Sequence, residues 1–191
     1  MVLLLATNNP GKIAEIKSIF ANYQVFSLKE KEIFVDVEED ADTFAGNAIK
    51  KAREIYEIAK VPVIADDSGL CIDVLGGWPG VFTHRFLGDD AKDEERNEAI
   101  IDKMVSYDGN QRAAKVMCSM AYYDGINTIV GEGILRGKIS TSRRGDNGFG
   151  FDEIFETESG VTLAEMPGEE KNKISARYLA LMDLKNQLDN L

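Results

Sequence analysis

The chain has 191 residues, 44% of them hydrophobic and none in a repeat or low-complexity tract, which is enough for one well-packed domain. Its 33 acidic against 22 basic residues give a formal net charge of −11, which disfavours a nucleic-acid polymer as partner, because such binding relies on Lys and Arg neutralising phosphates. No run of about 18 apolar residues exists to span a membrane, and Cys71 and Cys118 have no secretory context, so the expectation is a cytoplasmic protein with two buried, reduced thiols.

Met1 to Ala6 is apolar, too short and without the basic leader of a signal peptide, and reads as a strand covered on both faces. Ile13, Ile16, Ile19 and Phe20 then follow helical spacing, and Val25 to Leu28 reads as a short strand. After the acidic stretch Glu38, Glu39, Asp40 and Asp42, Thr43 is placed to cap a helix reaching about Lys60, with an apolar stripe of Phe44, Ala48, Ile49, Ala52, Ile55, Tyr56 and Ala59. Val61 to Ala65 is the next buried strand, expected to stop at Asp66, Asp67, Ser68 and Gly69 before Leu70 to Leu75 resumes an extended course. Gly76, Gly77, Pro79 and Gly80 mark a loop, and a helix is predicted over Asp93 to Val105. Ala113 to Tyr123 and Thr128 to Leu135 are strands joined by a hairpin turn at Asp124 to Asn127. A glycine-rich loop spans Gly145 to Asp152, and one last helix, about Glu169 to Leu188, carries Ile174, Tyr178, Leu181, Leu184 and Leu188 on one face. The expected fold is mixed α/β: an elongated central sheet flanked by helices, as a single domain over residues 1–191, with the later strands free to form a second lobe across a cleft.

Three constellations point to chemistry. Thr7, Asn8, Asn9, Pro10, Gly11 and Lys12 occupy a strand-to-helix turn, where unpaired N–H groups, the helix dipole and a lysine favour a phosphate; an ordinary turn rich in turn-formers has the same composition. The spacing fits neither a Walker P-loop nor the dinucleotide fingerprint. Asp66 and Asp67 are adjacent carboxylates at the end of an apolar strand, suited to Mg²⁺ with substrate phosphates and to orienting a water. The loop Asn147 to Asp152 flexes on Gly148 and Gly150 and carries Phe149 and Phe151, which either stack a base or fill the core. Lys50, Lys51, Lys171, Lys173 and Arg177 supply local cations despite the acidic total. His84 is the single histidine and no Gly-x-Ser-x-Gly elbow exists, which argues against serine nucleophile chemistry, and the Cys and His spacing forms no zinc pattern.

Taken together, Thr7-Asn8-x-x-x-Lys12, Thr43-Phe44-x-x-Asn47-Ala48-x-x-Lys51-Ala52, Ala65-Asp66-Asp67-Ser68-Gly69, Gly76-Gly77-x-Pro79-Gly80, Gly148-Phe149-Gly150-Phe151-Asp152 and Glu170-Lys171 resemble, in order and over nearly the whole chain, the inosine/xanthosine triphosphate pyrophosphatase family. The resemblance implies that family's elongated sheet with two lobes around a cleft, a homodimer, and Mg²⁺-dependent cleavage of noncanonical purine nucleoside triphosphates (ITP, dITP, XTP) to the monophosphate and pyrophosphate. It also implies site roles: Asp67 as general base and Mg²⁺ ligand, supported by Asp66; Thr7, Asn8, Lys12 and Lys51 toward the phosphates; Ser68 touching substrate; Phe149 stacking on the base, with Gly150, Phe151 and Asp152 at its edge or sugar; and Lys171 with Arg177 completing the pocket. The chain departs from the family pattern at Gly46, where a glutamate that binds or orients the metal is common, and at Ala176, where Ser-His-Arg becomes Ser175-Ala176-Arg177; Phe151 and Glu153 replace the usual tyrosine and proline. These departures keep two other readings in view: a broader nucleotide pyrophosphatase and a non-catalytic nucleotide-binding protein.

Overall fold

The protein is described here as a computed structural model covering residues 2–88 and 90–190; Met1, which opens the apolar run, and Leu191 lie outside the described residues. Among the described residues the elements run β1 (Val2–Leu5), α1 (Pro10–Ile19), β2 (Gln24–Ser27), α2 (Phe44–Ala59), β3 (Val63–Ile72), α3 (Asp93–Lys103), β4 (Ala113–Tyr123), β5 (Thr128–Ile139), β6 (Phe155–Thr157), α4 (Gly168–Ile174) and α5 (Ala176–Asp189). The strands form a mixed sheet in the order β2-β1-β3-β4-β5-β6. β1 pairs in parallel with β2 and β3, and β5 pairs antiparallel with β6. The mixed α/β class is as expected. Two compact units divide the chain: Met1–Ser68 with Cys118–Gly133 and Ala176–Leu191, and Gly69–Met117 with Ile134–Ser175.

In the first unit Leu3, Leu4 and Leu5 of β1 are fully buried, as a strand without a polar alternation requires. Asn9 starts α1 by accepting from the N–H groups of Gly11 (2.9 Å) and Lys12 (3.3 Å), with Pro10 in the first turn, where its missing donor costs nothing. Thr43 caps α2 as expected, its Oγ1 accepting from the Gly46 N–H at 3.0 Å. The α2 stripe meets β1 and β3 in a core of Leu4, Ala48, Ala52, Ile55, Val63 and Ala65. α2 ends at Lys60 in the left-handed region (φ 52°), a conformation that favours glycine. On β5, a Cβ at Gly131 or Gly133 would collide with the α5 backbone at Ala180 and Leu184, or at Ala176 and Ala180. The absence of side chains there is what lets α5 lie directly on the strand.

In the second unit a buried arginine organises the end of α3. Arg112 donates to the carbonyls of Met104 (2.6 Å) and Tyr107 (3.0 Å), where the C-terminal end of the helix dipole offers partial negative charge, and to those of Ile139 and Ser140 (both 2.6 Å). Arg96, also buried, donates to the carbonyls of Phe86, Gly88 and Ala91 and so ties down the segment leading into α3.

Two expectations are corrected. β3 does not stop at Asp66; it runs without interruption through Asp66, Asp67, Ser68 and Gly69 to Ile72. Each carboxylate finds its own donors, so the low strand propensity of aspartate is overridden. The last helix is two helices, α4 and α5, separated by Ser175 in an extended conformation (φ −61°, ψ 146°), with its N–H closing α4 on the Lys171 carbonyl. The apolar spacing continues across this break, which hides it from a periodicity argument.

The crowding at Gly133 predicts that Gly133→Ala lowers the unfolding free energy by about 2–3 kcal/mol in urea denaturation, because the methyl group has to displace the first turn of α5. Lys60→Gly should raise it by about 0.5–1 kcal/mol by relieving the left-handed lysine.

Candidate active site

Consecutive strand residues project to opposite faces, and β3 uses this to separate its two aspartates. The Asp66 carboxylate receives Lys12 Nζ at 2.5 Å from α1. Asp67 turns to α2, where its Oδ2 accepts from Asn47 Nδ2 at 2.8 Å; its Oδ1 accepts from the Ser68 N–H at 2.8 Å. Lys51, one turn beyond Asn47, pairs with Glu39 and donates to the Asp66 carbonyl at 3.0 Å. Asn47 is itself fixed, since its Oδ1 accepts from the Ala41 N–H at 2.8 Å and the side chain is fully buried.

The two acids consequently titrate in opposite senses. Burial alone would raise the Asp66 carboxyl, but Lys12, Arg177 and Lys51 outweigh it and hold the group below its usual range. For Asp67 burial dominates: opposed by the Asn47 hydrogen bond and reinforced by Glu39, it pushes the carboxyl up to about 6. Arg177, the second residue of α5, reaches Glu15 of α1 at 3.6 Å. Thr7 Oγ1 accepts from the Asn9 N–H and Asn8 Oδ1 from the Lys29 N–H, so both shape the turn before α1. The N–H groups of Gly11 and Lys12, expected to be unpaired, are covered by Asn9. An anion at this turn therefore relies on Lys12 or on displacement of the exposed Asn9 side chain.

Gly46, at the position of the missing glutamate, is closely hemmed: a Cβ would stand 2.9 Å from Ala41 Cβ and 3.0 Å from Thr43 Oγ1. Ala176 is buried at the start of α5 and brings no polar group. No cluster of three or more Asp, Glu, His or Cys side chains suited to a metal is formed among the described residues. The donor chemistry nevertheless suits a hard divalent cation. Asp67 is a desolvated carboxylate further repelled by Glu39, and Mg²⁺ is commonly held by only one or two carboxylates together with phosphate oxygens.

A second group of predicted residues lies in the other unit. Asp152 is buried, takes the Lys171 ammonium and accepts from the Phe149 N–H at 2.8 Å. Lys171 Nζ also stands 4.8 Å from the Phe149 ring centroid, a cation–π contact that leaves the ring 53% exposed. Gly148 (φ 87°) has no room for a Cβ beside the Asp152 carboxylate. Gly150 (φ 63°) gives its N–H to Asp93 Oδ2 at 2.7 Å and accepts from Asn97 Nδ2 at 2.9 Å. Phe151 is half-buried beside Thr83, His84 and Phe86.

Thus Thr7, Asn8, Lys12, Lys51, Asp66, Asp67, Ser68 and Arg177 belong to the first unit, and Phe149, Gly150, Phe151, Asp152 and Lys171 to the second. Sequence reasoning gave no site role to Asn47, Asp93 or Asn97. For Asn47 the signal was present, as a polar residue within the apolar stripe between Phe44 and Ala48.

These features define a mixed α/β protein whose polar centre is assembled from one strand, α1 with the turn before it, and α2. The chain belongs to the Ham1 family, whose sequence profile matches residues 3–187. It is 45% identical to the dITP/XTP pyrophosphatase of Clostridium tetani, over 97% of this chain and 95% of the relative, and 40% identical to that of Bacillus subtilis, over 97% and 96%. Among solved structures, a HAM1 protein from Coxiella burnetii superposes with a TM-score of 0.93 at 34% identity, covering 100% of both chains.

The Lys12–Asp66 pair carries a linked prediction. A carboxyl held low stabilises the fold above its unfolded value of 3.8, and that contribution is lost as pH falls. Lys12→Met, which leaves Asp66 buried and unpaired, should cost about 3 kcal/mol at pH 7. The gap to the parent should narrow toward pH 4, where the orphaned carboxyl takes up a proton; urea denaturation at the two pH values measures it.

Proposed function

We propose that this chain is a Mg²⁺-dependent nucleoside triphosphate pyrophosphohydrolase that clears noncanonical purine nucleotides (ITP, dITP and XTP) as their monophosphates. The observation that carries the chemistry is Asp67: a buried carboxylate, pushed up to about 6, between lysine-bearing elements. The base class rests on full-length similarity to proteins named dITP/XTP pyrophosphatase.

In this reading Asp67 takes the proton of a water attacking the α-phosphorus, and the bond to the bridging oxygen breaks to release pyrophosphate. A proton affinity near neutrality suits a base that must be ionised at rest yet able to accept a proton. Asn47 and the Ser68 N–H orient the carboxylate, while Asp66 holds the Lys12 ammonium in place. Lys12, Lys51 and Arg177, with Thr7 and Asn8 shaping the turn, offset the charge of the triphosphate. Mg²⁺ would be held by Asp67 together with phosphate oxygens of the substrate, with Asp66 in indirect support through Lys12, and would supply charge neutralisation. Phe149 stacks on the base, Gly150, Phe151 and Asp152 meet its edge or sugar, and Lys171 closes that end. A keto oxygen at purine position 6 accepts where the adenine amino group donates, and such a mismatch gives strong discrimination. We place the enzyme in the cytoplasm as a homodimer; exposed Phe82 and Leu87 provide apolar surface of the kind a two-fold interface buries, and sedimentation velocity tests it.

Pyrophosphate release from ITP, XTP, dITP, ATP, GTP and CTP, with and without Mg²⁺, tests the reading. Mg²⁺-dependent release that favours ITP and XTP over ATP and vanishes in Asp67→Asn is the expected result. Equal activity on all six keeps the mechanism and discards the base preference. Nucleotide binding without release identifies a non-catalytic binder. The pH profile is a further check. kcat/KM should fall about tenfold per pH unit below about 6 as Asp67 is protonated. Raising Mg²⁺ should move that inflection to lower pH, since the cation competes with the proton.

A further inference from the structure

The loop that displays Phe149 does not hold itself. Its own bonds are the turn Asp152 N–H to Phe149 carbonyl (3.3 Å) and the Phe149 N–H to Asp152 Oδ2 (2.8 Å). Neither fixes Gly150, which follows the ring and sits at φ 63° with nothing within 4 Å of where a Cβ would stand. A glycine in open space has the widest backbone freedom of any residue. What restrains it comes from α3. Asp93 and Asn97 are four residues apart and so lie on the same helix face; one accepts the Gly150 N–H at 2.7 Å and the other donates to the Gly150 carbonyl at 2.9 Å. Donor and acceptor are matched to the two backbone polar groups of a single residue. Asn97 is buried and cannot exchange this bond for water, while Arg96 between them is bonded to the Phe86, Gly88 and Ala91 carbonyls and holds the start of the helix.

We propose that Asp93 and Asn97 are specificity-determining positioning residues, which set base selectivity by clamping both backbone polar groups of Gly150 and thereby the orientation of Phe149. The proposal rests on the reading of Phe149 and Gly150 as the base contact. The phosphate and proton-transfer groups belong to other elements, so the clamp acts on the base and not on the chemical step. Loss of the clamp releases Gly150, and the ring and backbone no longer meet the base in one geometry. The consequence falls on KM and on the ranking of bases more than on kcat.

Three variants test this. Asn97→Asp keeps the shape of the side chain but points an acceptor at the Gly150 carbonyl. Asp93→Ala removes the acceptor, and with it a 3.7 Å ion pair to Arg96 whose bonds to the Phe86, Gly88 and Ala91 carbonyls remain, at a side chain already 47% exposed. Asp93→Asn keeps an oxygen acceptor and serves as the conservative rescue. The ratio of kcat/KM for dITP over dATP should fall about tenfold or more in Asn97→Asp and Asp93→Ala, mainly through KM for dITP, and recover in Asp93→Asn. An unchanged ratio in Asp93→Ala and in folded Asn97→Asp overturns the proposal while leaving the pyrophosphohydrolase reading intact. Affinity for dIMP separates the two claims without turnover. Should the parent protein release no pyrophosphate yet bind dIMP, with affinity lost in Asp93→Ala and regained in Asp93→Asn, the activity reading falls and the clamp stands. Neither release nor dIMP binding by the parent overturns both.

Discussion

Burying two consecutive aspartates in the middle of a strand is the constraint around which the first unit is organised. A lone carboxylate taken out of water has to be paired, hydrogen-bonded or protonated. Because neighbours on a strand face opposite ways, no single partner serves both acids, and two elements are committed to them. α1 contributes Lys12 to Asp66, and α2 contributes Asn47 to Asp67. The compensation is unequal. Asp66 meets an ammonium and stays ionised, whereas Asp67 meets an amide and a backbone N–H, which stabilise its charge less. A single dipeptide thus yields a permanent anion and a group that titrates near neutrality, which is the division of labour acid–base chemistry needs.

The same economy appears in the loop of the other unit. Asp152 Oδ2 meets both the Lys171 ammonium and the Phe149 N–H, so one buried carboxylate gathers a cation and the backbone of an aromatic residue. Neither group of side chains is a surface decoration: each depends on a buried polar residue whose partners are supplied by packed helices.

Much of this was legible in the sequence, and the reasons are local. β1 is an uninterrupted apolar run, Thr43 stands three residues before the N–H it caps, and the Asp124–Asn127 turn lies between two alternating segments. Asp66 and Asp67 stood out because adjacent carboxylates are expensive at the end of an apolar strand, and Lys12 and Lys51 as local cations in an acidic chain. Two of the failures, the continuity of β3 and the role of α3, depend on tertiary partners, while the break at Ser175 and the Asn9 cap are local. The continuity of β3 through Asp66 and Asp67 requires Lys12 and Asn47, which are 54 and 20 residues away. The break at Ser175 leaves the apolar spacing undisturbed. Asp93 and Asn97 look like ordinary polar residues of a helix until Gly150 is seen between them, and Asn9 covers donors that a turn motif alone leaves open.

The two glycines of β5 have a wider significance. Where α5 lies on Gly131 and Gly133, main chain meets main chain, and the offset of the helix is set by atoms that every sequence shares. Leu184 takes part in that contact through its own N and Cβ, and both Leu181 and Leu184 are fully buried beside it. Arg177, one residue past Ala176 at the contact, is positioned by it within electrostatic reach of Asp66. The placement of the charge that helps hold Asp66 low thus rests on the approach of a helix backbone to a strand that carries no side chain there.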